Sequence, residues 1–130
     1  MGGQLTIKKE GLISAIQEKG IGDVIKPLTR EIFLFDTYIA GTTHLEDKSV
    51  LELMKVDDKL ILQREDNKFD SDAILIFNTD KKKLGYVPEK DNVVFARLMD
   101  AGKLLTAKIM DINTERGYYR VKIAIFLVDF

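Results

Sequence analysis

The pattern of apolar and polar positions predicts a chain made mostly of short strands from about residue 31 onward. Runs of β-branched and aromatic residues, or strict alternation of apolar and polar residues, are typical of strands when turn-forming residues bound them. In one of these segments Leu60 and Leu62 are expected to face the core, while Ile61 points the other way. We predict strands over Glu31–Ile39, Lys59–Arg64, Ala73–Phe77, Lys83–Val87, Lys103–Ile112 and Tyr118–Val128.

Helical periodicity appears in three other segments of the chain. The first, Leu5–Lys19, places Leu12, Ile13 and Ile16 on one face and charged residues on the opposite face. The other two predicted helices cover Glu46–Met54 and Pro88–Ala101, and the apolar stripe of the last one consists of Val94, Phe95, Leu98 and Met99.

The order of these elements predicts an α+β fold that is mainly β. Short antiparallel strands with two or three interleaved short helices favour a small barrel or a curled sheet, with an N-terminal helix added to it. A chain of 130 residues suits a single compact core. We therefore divide it into an N-terminal helical appendage, residues 1–30, and a β domain, residues 31–130.

Composition narrows the possible functions. The formal net charge is −1, from 20 Lys+Arg and 21 Asp+Glu, whereas a dedicated high-affinity DNA binder usually has a basic surplus. The absence of cysteine excludes disulfides and thiolate zinc sites, and a single histidine excludes a zinc site built from histidines. With no apolar run long enough for a membrane span and no signal peptide, we expect a cytoplasmic protein without zinc, membrane association or cofactor.

No pattern in the sequence is typical of a catalytic site. The serines have no nucleophile-elbow context, and no Walker A loop is present. Asp66, Asp70 and Asp72 lie close together, but the glycine and terminal glutamate of a calcium loop are missing, so turn and capping roles are favoured over a metal site for Asp66 and Asp72. We expect a protein that is not an enzyme; a hydrolase that uses these loop carboxylates is the third hypothesis.

Four ordered motifs resemble the HIRAN domain family. The segment Leu84–Pro88, with the sequence Leu-Gly-Tyr-Val-Pro, is one match, and Ala96–Gly102 resembles the family helix that ends in a glycine turn. Upstream, Ile39–Gly41 lies where the family has its first strand and a glycine. The most specific motif follows the second predicted strand and consists of Arg64, Glu65, Asn67, Phe69, Asp70, Ala73 and Ile74.

This resemblance implies an OB-like barrel that binds single-stranded DNA at a free 3′ end. Phe69 then matches the aromatic position that holds the terminal base, and Asp70 matches the carboxylate that contacts the terminal hydroxyl. A base stacked on an aromatic ring contributes about 1–3 kcal/mol whatever its identity. A carboxylate accepts a hydrogen bond from a 3′-hydroxyl and repels a 3′-phosphate.

The sequence departs from the family pattern in the loop after the first strand. Where DNA-binding members have a basic residue and a tyrosine, this chain has Thr43 and His44. The loop between Arg64 and Asp70 is also one residue shorter than usual and has no proline. The complete predicted nucleic-acid-binding set is Phe69, Asp70, His44, Thr43, Tyr86, Arg64, Asn67, Lys81, Lys82 and Lys83.

Several of these positions have a second interpretation. Arg64 either meets phosphate or forms a structural ion pair with Glu65 or Asp70, and Tyr86 either packs in the core or stacks on a base. The three lysines either meet phosphate or form a solvated turn. A secondary basic and aromatic patch on the last hairpin consists of Arg116, Tyr118, Tyr119, Arg120 and Lys122, and only one of its tyrosines can face outward.

The sequence therefore predicts a module, not an enzyme, that binds single-stranded DNA or 3′-hydroxyl DNA ends in DNA repair or processing. The alternative is a protein-interaction module that keeps the HIRAN fold without DNA-end binding, with a protein partner in a DNA-processing complex. The near-neutral charge and the missing basic loop residue favour that alternative.

Overall fold

The computed structural model describes residues 30–129, which form one six-stranded antiparallel sheet and two helices. The predicted helix over Leu5–Lys19 lies outside the described residues. No helix within residues 30–129 is long and apolar enough to cross a membrane. The elements are β1 (Arg30–Tyr38), a 3-10 turn (Thr42–His44), α1 (Ser49–Glu52), β2 (Lys59–Arg64), β3 (Ile74–Phe77), β4 (Lys83–Tyr86), α2 (Glu89–Asp100), β5 (Leu105–Glu115) and β6 (Tyr118–Asp129).

The strands follow the order β1-β6-β5-β2-β3-β4, so β1 and β4 are the two edges of an open sheet. The prediction of a barrel is wrong in this respect, although the sheet curls until its edges touch. The two edges meet only through an isolated bridge, in which the amides of Ala40 and Tyr86 donate to each other's carbonyls at 2.8 and 2.9 Å. Because a single bridge replaces a ladder, the sheet closes at one point and stays open elsewhere.

Helix α2 lies in the gap between the diverging edges. The Thr37 hydroxyl of β1 donates a hydrogen bond to Asp91 Oδ2 at 2.6 Å, and the rings of Phe35 and Phe95 lie 5.8 Å apart. These contacts hold α2 against β1.

Strand alternation places the core as the sequence predicts. Leu60 and Leu62 are buried and Ile61 is exposed, as expected for a strand with one face on the core. Buried residues alternate in the same way over Leu105–Ile109 of β5, whereas β6 buries the consecutive residues Ile123, Ala124 and Ile125. The centre of the core, between the concave face of the sheet and α2, consists of Ile74, Ile76, Leu84, Ile109, Val121, Ile123 and Ile125.

The two helices differ from the predictions, α1 in its length and α2 in which side chains it buries. The predicted helix over Glu46–Met54 shrinks to the single turn α1, which still buries Val50 and Leu51. In α2 the buried side chains are Asn92, Phe95 and Ala96, whereas Val94, predicted to face inward, is 64% exposed. Phe95 is buried and Leu98 and Met99 pack against the core as predicted, so the prediction is wrong for Val94 alone. It also misses Asn92, whose burial depends on a hydrogen bond that apolar periodicity does not reveal.

The last hairpin is tighter than predicted. Strand β5 extends to Glu115, and only Arg116 and Gly117 remain between it and β6. Both residues have positive φ, 53° and 80°, which is the conformation of a two-residue type I′ turn. The loop predicted over residues 113–117 is therefore mostly strand.

Gly85 is the residue that allows the two edges of the sheet to meet. It has a φ of 154°, and a Cβ at this position would lie 2.3 Å from the Ala40 carbonyl oxygen and 2.6 Å from Ile39 Cγ2. Both distances are shorter than van der Waals contact. Only glycine lets β4 approach the backbone after β1 this closely.

We predict that Gly85→Ala lowers the free energy of unfolding by about 3 kcal/mol, since the methyl group would overpack against backbone and the positive φ adds strain. The control is Gly102→Ala, because Gly102 also has positive φ (91°) but no atom lies within 4 Å of where its Cβ would be. It is expected to cost only about 1 kcal/mol. Equal losses for the two variants in urea unfolding would contradict the importance of the Gly85 contact.

Candidate nucleic-acid interface

The loop between β2 and β3 presents Phe69 to solvent. The ring is 83% exposed, and the amino group of Lys68 lies 5.1 Å from its centroid. The Asn67 side-chain oxygen accepts a hydrogen bond from the Phe69 backbone amide at 2.8 Å, which fixes the turn locally. The phenylalanine does not fold back onto the core, and its ring is accessible to a ligand.

Asp70 has a structural role in the same turn. Its Oδ1 accepts from the Asp72 amide at 2.9 Å, and its Oδ2 accepts from the side-chain amide of Asn92 at 2.8 Å. Asn92 is only 1% exposed, so this hydrogen bond satisfies a buried polar group and ties the loop to α2. Each carboxylate oxygen has a second lone pair, so a ligand hydroxyl can still be accepted.

Arg64, at the end of β2, is held by protein groups. Its Nε and Nη2 donate to the two carboxylate oxygens of Asp100 at 2.9 and 3.2 Å. Its guanidinium also donates to the carbonyls of Ala73 and Ser71, at 2.6 and 2.8 Å. The predicted ion pair with Glu65 or Asp70 is thus wrong in its partner, which is Asp100 at the end of α2, and most of the donors that phosphate contact requires are already used.

Glu65 connects the loop to strand β4. Its Oε1 accepts hydrogen bonds from the Asn67 side-chain amide and from the Tyr86 hydroxyl, both at 2.9 Å. The amino group of Lys83 lies 4.6 Å from the centroid of the Tyr86 ring and 3.4 Å from its hydroxyl. Three predicted site residues, Asn67, Tyr86 and Lys83, therefore meet around a carboxylate that the predicted set omits.

Tyr86 is half-buried and contributes both to packing and to the surface. Its backbone forms the bridge to Ala40, and a side-chain carbon lies 3.8 Å from where a Cβ of Gly41 would be. Because the Lys83 amino group lies over its ring and its hydroxyl donates to Glu65, Tyr86 positions both of these side chains.

Thr43 and His44 are exposed in the 3-10 turn but line different grooves. His44 shares a groove with Glu46, Asp47, Lys82 and Lys83. Thr43 shares another with Lys48, Gly117, Tyr118 and Tyr119. Within residues 30–129, no hydrogen bond joins either side chain to the turn that carries Phe69 and Asp70.

The turn between β3 and β4 exposes all three lysines. Asn78 Oδ1 accepts from the amides of Asp80 and Lys82, at 3.0 and 2.9 Å, and Lys81 adopts a positive φ of 64°. The turn is ordered by Asn78. Among the described residues, the only hydrogen bond from these lysine amino groups is that of Lys83 to the Tyr86 hydroxyl.

The secondary patch on the last hairpin divides as predicted between two faces. Tyr118 and Arg120 point outward, whereas Tyr119 and Val121 point toward the core. The Arg120 guanidinium stacks on the ring of Tyr38 at 4.4 Å from its centroid. This stacking orders the cation without neutralising it.

The carboxylates of the described residues do not form a metal cluster. No group of three or more His, Asp or Glu side chains within residues 30–129 is arranged to hold a metal ion. Asp72, predicted to be a turn or capping residue, lies 3.9 Å from Arg97.

Three functional or supporting residues are absent from the predicted set: Glu65, Asn92 and Asp100. Glu65 belongs to the motif that follows β2, so the sequence carried a signal for it. Asn92 and Asp100 are recognisable only from tertiary structure, since their partners lie 22 and 36 residues away in the sequence.

The ion pair of Arg64 with Asp100 predicts an acid-sensitive component of stability. The Arg64 guanidinium lowers the pKa of Asp100, and Asp100 raises the pKa of Arg64. A depressed aspartate pKa contributes stability that is present above the unfolded value of 3.8 and is lost as the pH falls through the folded value. Asp100→Asn should therefore lose less stability than the wild type between about pH 5 and pH 2.

The measurement is urea unfolding across that pH range, with Asp80→Asn as the control, since Asp80 lies in an exposed turn. A wild-type protein and an Asp100→Asn variant with the same pH dependence would show that this ion pair contributes nothing to folding.

The comparisons with known proteins agree with this architecture. A family model described as the HIRAN domain matches residues 32–128. A crystal structure of a protein from Lactobacillus plantarum superposes with a TM-score of 0.73 at 23% identity, covering 78% of this chain and 99% of that chain. The crystal structure of the HIRAN domain of human HLTF has a TM-score of 0.62 at 13% identity, covering 78% of this chain and 79% of that chain. No curated protein has a significant match to the sequence. Because the family model spans most of the chain and the fold agrees, this chain belongs to the HIRAN domain family.

Proposed function

We propose that this HIRAN domain is a non-enzymatic module that binds single-stranded DNA, with a preference for 3′-hydroxyl ends, in DNA repair or processing. Family membership supports DNA binding as the general function. The end preference rests on the geometry of the loop between β2 and β3.

The observation that carries the proposal is the exposed ring of Phe69 on an internally hydrogen-bonded loop. A phenylalanine that is 83% exposed contributes little to folding, and its ring is accessible to a ligand. The hydrogen bond from its backbone amide to Asn67 fixes the turn that carries the ring before a ligand arrives. Preorganisation of this kind reduces the ordering cost of binding and favours a stacking role.

Asp70 gives the proposed site its end specificity. The carboxylate lies one residue from the stacking ring and is oriented by Asn92 and by the Asp72 amide. A terminal 3′-hydroxyl can donate to it, whereas a 3′-phosphate would bring two like charges together.

The flanking grooves are the proposed path of the phosphate backbone. Lys82 and Lys83 line the groove of His44, and Lys81 lies in the same exposed turn. The groove of Thr43 adds Lys48 and Tyr118. Tyr86 supports Lys83, and Arg64 supports the loop, so both contribute to binding by positioning other groups.

We predict that Phe69→Ala weakens binding of a 3′-hydroxyl single strand by roughly 5- to 150-fold, which corresponds to about 1–3 kcal/mol of stacking. Its free energy of unfolding should change by no more than about 0.5 kcal/mol, because the ring is exposed. Fluorescence anisotropy at low salt measures the affinity. The control is Phe33→Ala, an exposed phenylalanine on β1 that lines neither groove, which should bind as the wild type does.

Retention of wild-type affinity by a folded Phe69→Ala variant would contradict the stacking role. Failure of the wild-type protein to bind any single strand would contradict DNA binding itself.

A second prediction concerns the terminal hydroxyl. The wild type should bind a 3′-hydroxyl strand more tightly than the same strand with a 3′-phosphate, and Asp70→Asn should reduce that ratio toward one, because the amide is uncharged. Asparagine is chosen over alanine because removal of the side chain would leave the buried amide of Asn92 without its partner. Equal binding of both strands by the wild type would show that the end is not recognised.

The alternative function is a protein-interaction module that keeps the HIRAN fold without DNA-end binding. The net charge of −1 favours it, since DNA affinity depends strongly on positive charge. Salt dependence separates the two functions: DNA binding should weaken steeply as salt rises, whereas binding to an apolar protein surface should change little.

A further inference from the structure

An apolar groove lies between edge strand β1 and helix α2. Its walls are Leu34 and Phe35 of β1 and Val94, Phe95 and Leu98 of α2. Val94 is 64% exposed and Phe35 is 41% exposed. The charged residues Lys90 and Asp91 also line it.

The strand beside this groove is an unusual edge. β1 has nine residues, pairs on one side with β6, and within residues 30–129 has no ladder on its other side beyond the bridge at Ala40. Long apolar edge strands are aggregation-prone, and natural proteins usually cover or charge them. The central Ile32–Phe35 stretch of β1 carries no charge, so a covering element is expected.

The 29 residues that precede Arg30 supply a matching apolar surface. Their sequence places Leu12, Ile13 and Ile16 on one helical face. A lone amphipathic helix of about 15 residues is marginal in water, because it cannot bury its own stripe. A stripe of this kind is stabilised by packing into an apolar groove, as amphipathic helices do in many complexes.

The point of attachment favours this chain's own segment over another partner. The segment is joined to Arg30, the first residue of the strand that forms one wall of the groove. The ten residues between Lys19, where the predicted helix ends, and Arg30 can span up to about 34 Å when extended, which is enough to run back along the whole of β1. Tethering at this distance gives an effective concentration on the order of millimolar.

We propose that the stripe of Leu12, Ile13 and Ile16 packs into the groove between β1 and α2 of the same chain. The segment covers Phe35 and Val94 and protects the free edge of β1. This assignment does not rest on the DNA-binding proposal, and a failure of either leaves the other standing.

Cysteine cross-linking tests the proposal in the full chain, which contains no native cysteine. One variant carries Ile16→Cys with Val94→Cys, and a second carries Ile16→Cys with Glu115→Cys, which lies at the far end of the β5–β6 hairpin. A short bismaleimide should join the first pair within one chain in much higher yield than the second. Product masses distinguish links within a chain from links between chains.

Two further variants show whether the apolar stripe is responsible for the cross-linking yield. Leu12→Asp with Ile13→Asp, added to the first pair, should reduce the yield to that of the second pair. The matched control is Ser14→Asp with Ala15→Asp, two adjacent positions that face away from the stripe, and it should leave the yield high.

Three outcomes would overturn the proposal. One is an equal yield for the two cysteine pairs, and another is a high yield that survives the Leu12 and Ile13 substitutions. The third is a product of twice the mass whose yield rises with protein concentration, which would assign the groove to a second copy of the chain.

Discussion

The close approach of Gly85 to the backbone after β1 is the constraint on which the rest of this structure depends. A side chain at Gly85 would collide with the Ala40 carbonyl, so glycine alone permits the bridge of Ala40 with Tyr86. That bridge joins the two edges of the sheet and places the 3-10 turn of Thr43 and His44 beside β4. It also fixes Tyr86, whose hydroxyl reaches Glu65 and thereby the loop that presents Phe69. The site is therefore assembled by a backbone contact, and its side chains come from segments distant in sequence.

The sequence predicts the strands well because their physical cause is local. Alternation in β2 and the long apolar runs of β3 and β6 follow directly from burial of one or both faces, and Leu60 and Leu62 lie as expected. Three features depend on tertiary contacts and could not be predicted from the sequence. They are the open edge of the sheet, the partner of Arg64, and the burial of Asn92 with the exposure of Val94 in α2. The family motif predicts which residues form the candidate site, but it does not predict how they are arranged. Glu65 links Asn67, Tyr86 and Lys83, and it belongs to the family motif but not to the predicted binding set.

The arrangement also explains how a nearly neutral domain could serve as a DNA-binding module. Glu65 and Asp70 are acceptors for internal donors, which orient Asn67, Tyr86 and the buried Asn92. Their charges therefore have structural roles that a basic residue could not fill at the same position. If the domain binds DNA as proposed, attraction to phosphate would fall to the exposed lysines of the flanking grooves, and stacking on Phe69 would supply a larger share of the affinity than in a strongly basic binder. In the proposed function, Asp70 would discriminate strand ends by accepting a hydrogen bond from a 3′-hydroxyl and by repelling a 3′-phosphate.

Helix α2 is the element that the two surfaces share. On one side it holds the loop, through Asn92 to Asp70 and through Asp100 to Arg64. On the other side it packs against β1, through the ring contact of Phe95 with Phe35 and the hydrogen bond of Thr37 with Asp91. Asp91 and Asn92 are consecutive residues, so one turn of helix contacts both the strand edge and the loop. Because these contacts are short and largely satisfied, a rigid shift of α2 cannot occur without disturbing both. The contacts of α2 thus tie the position of the exposed aromatic loop to the packing of β1.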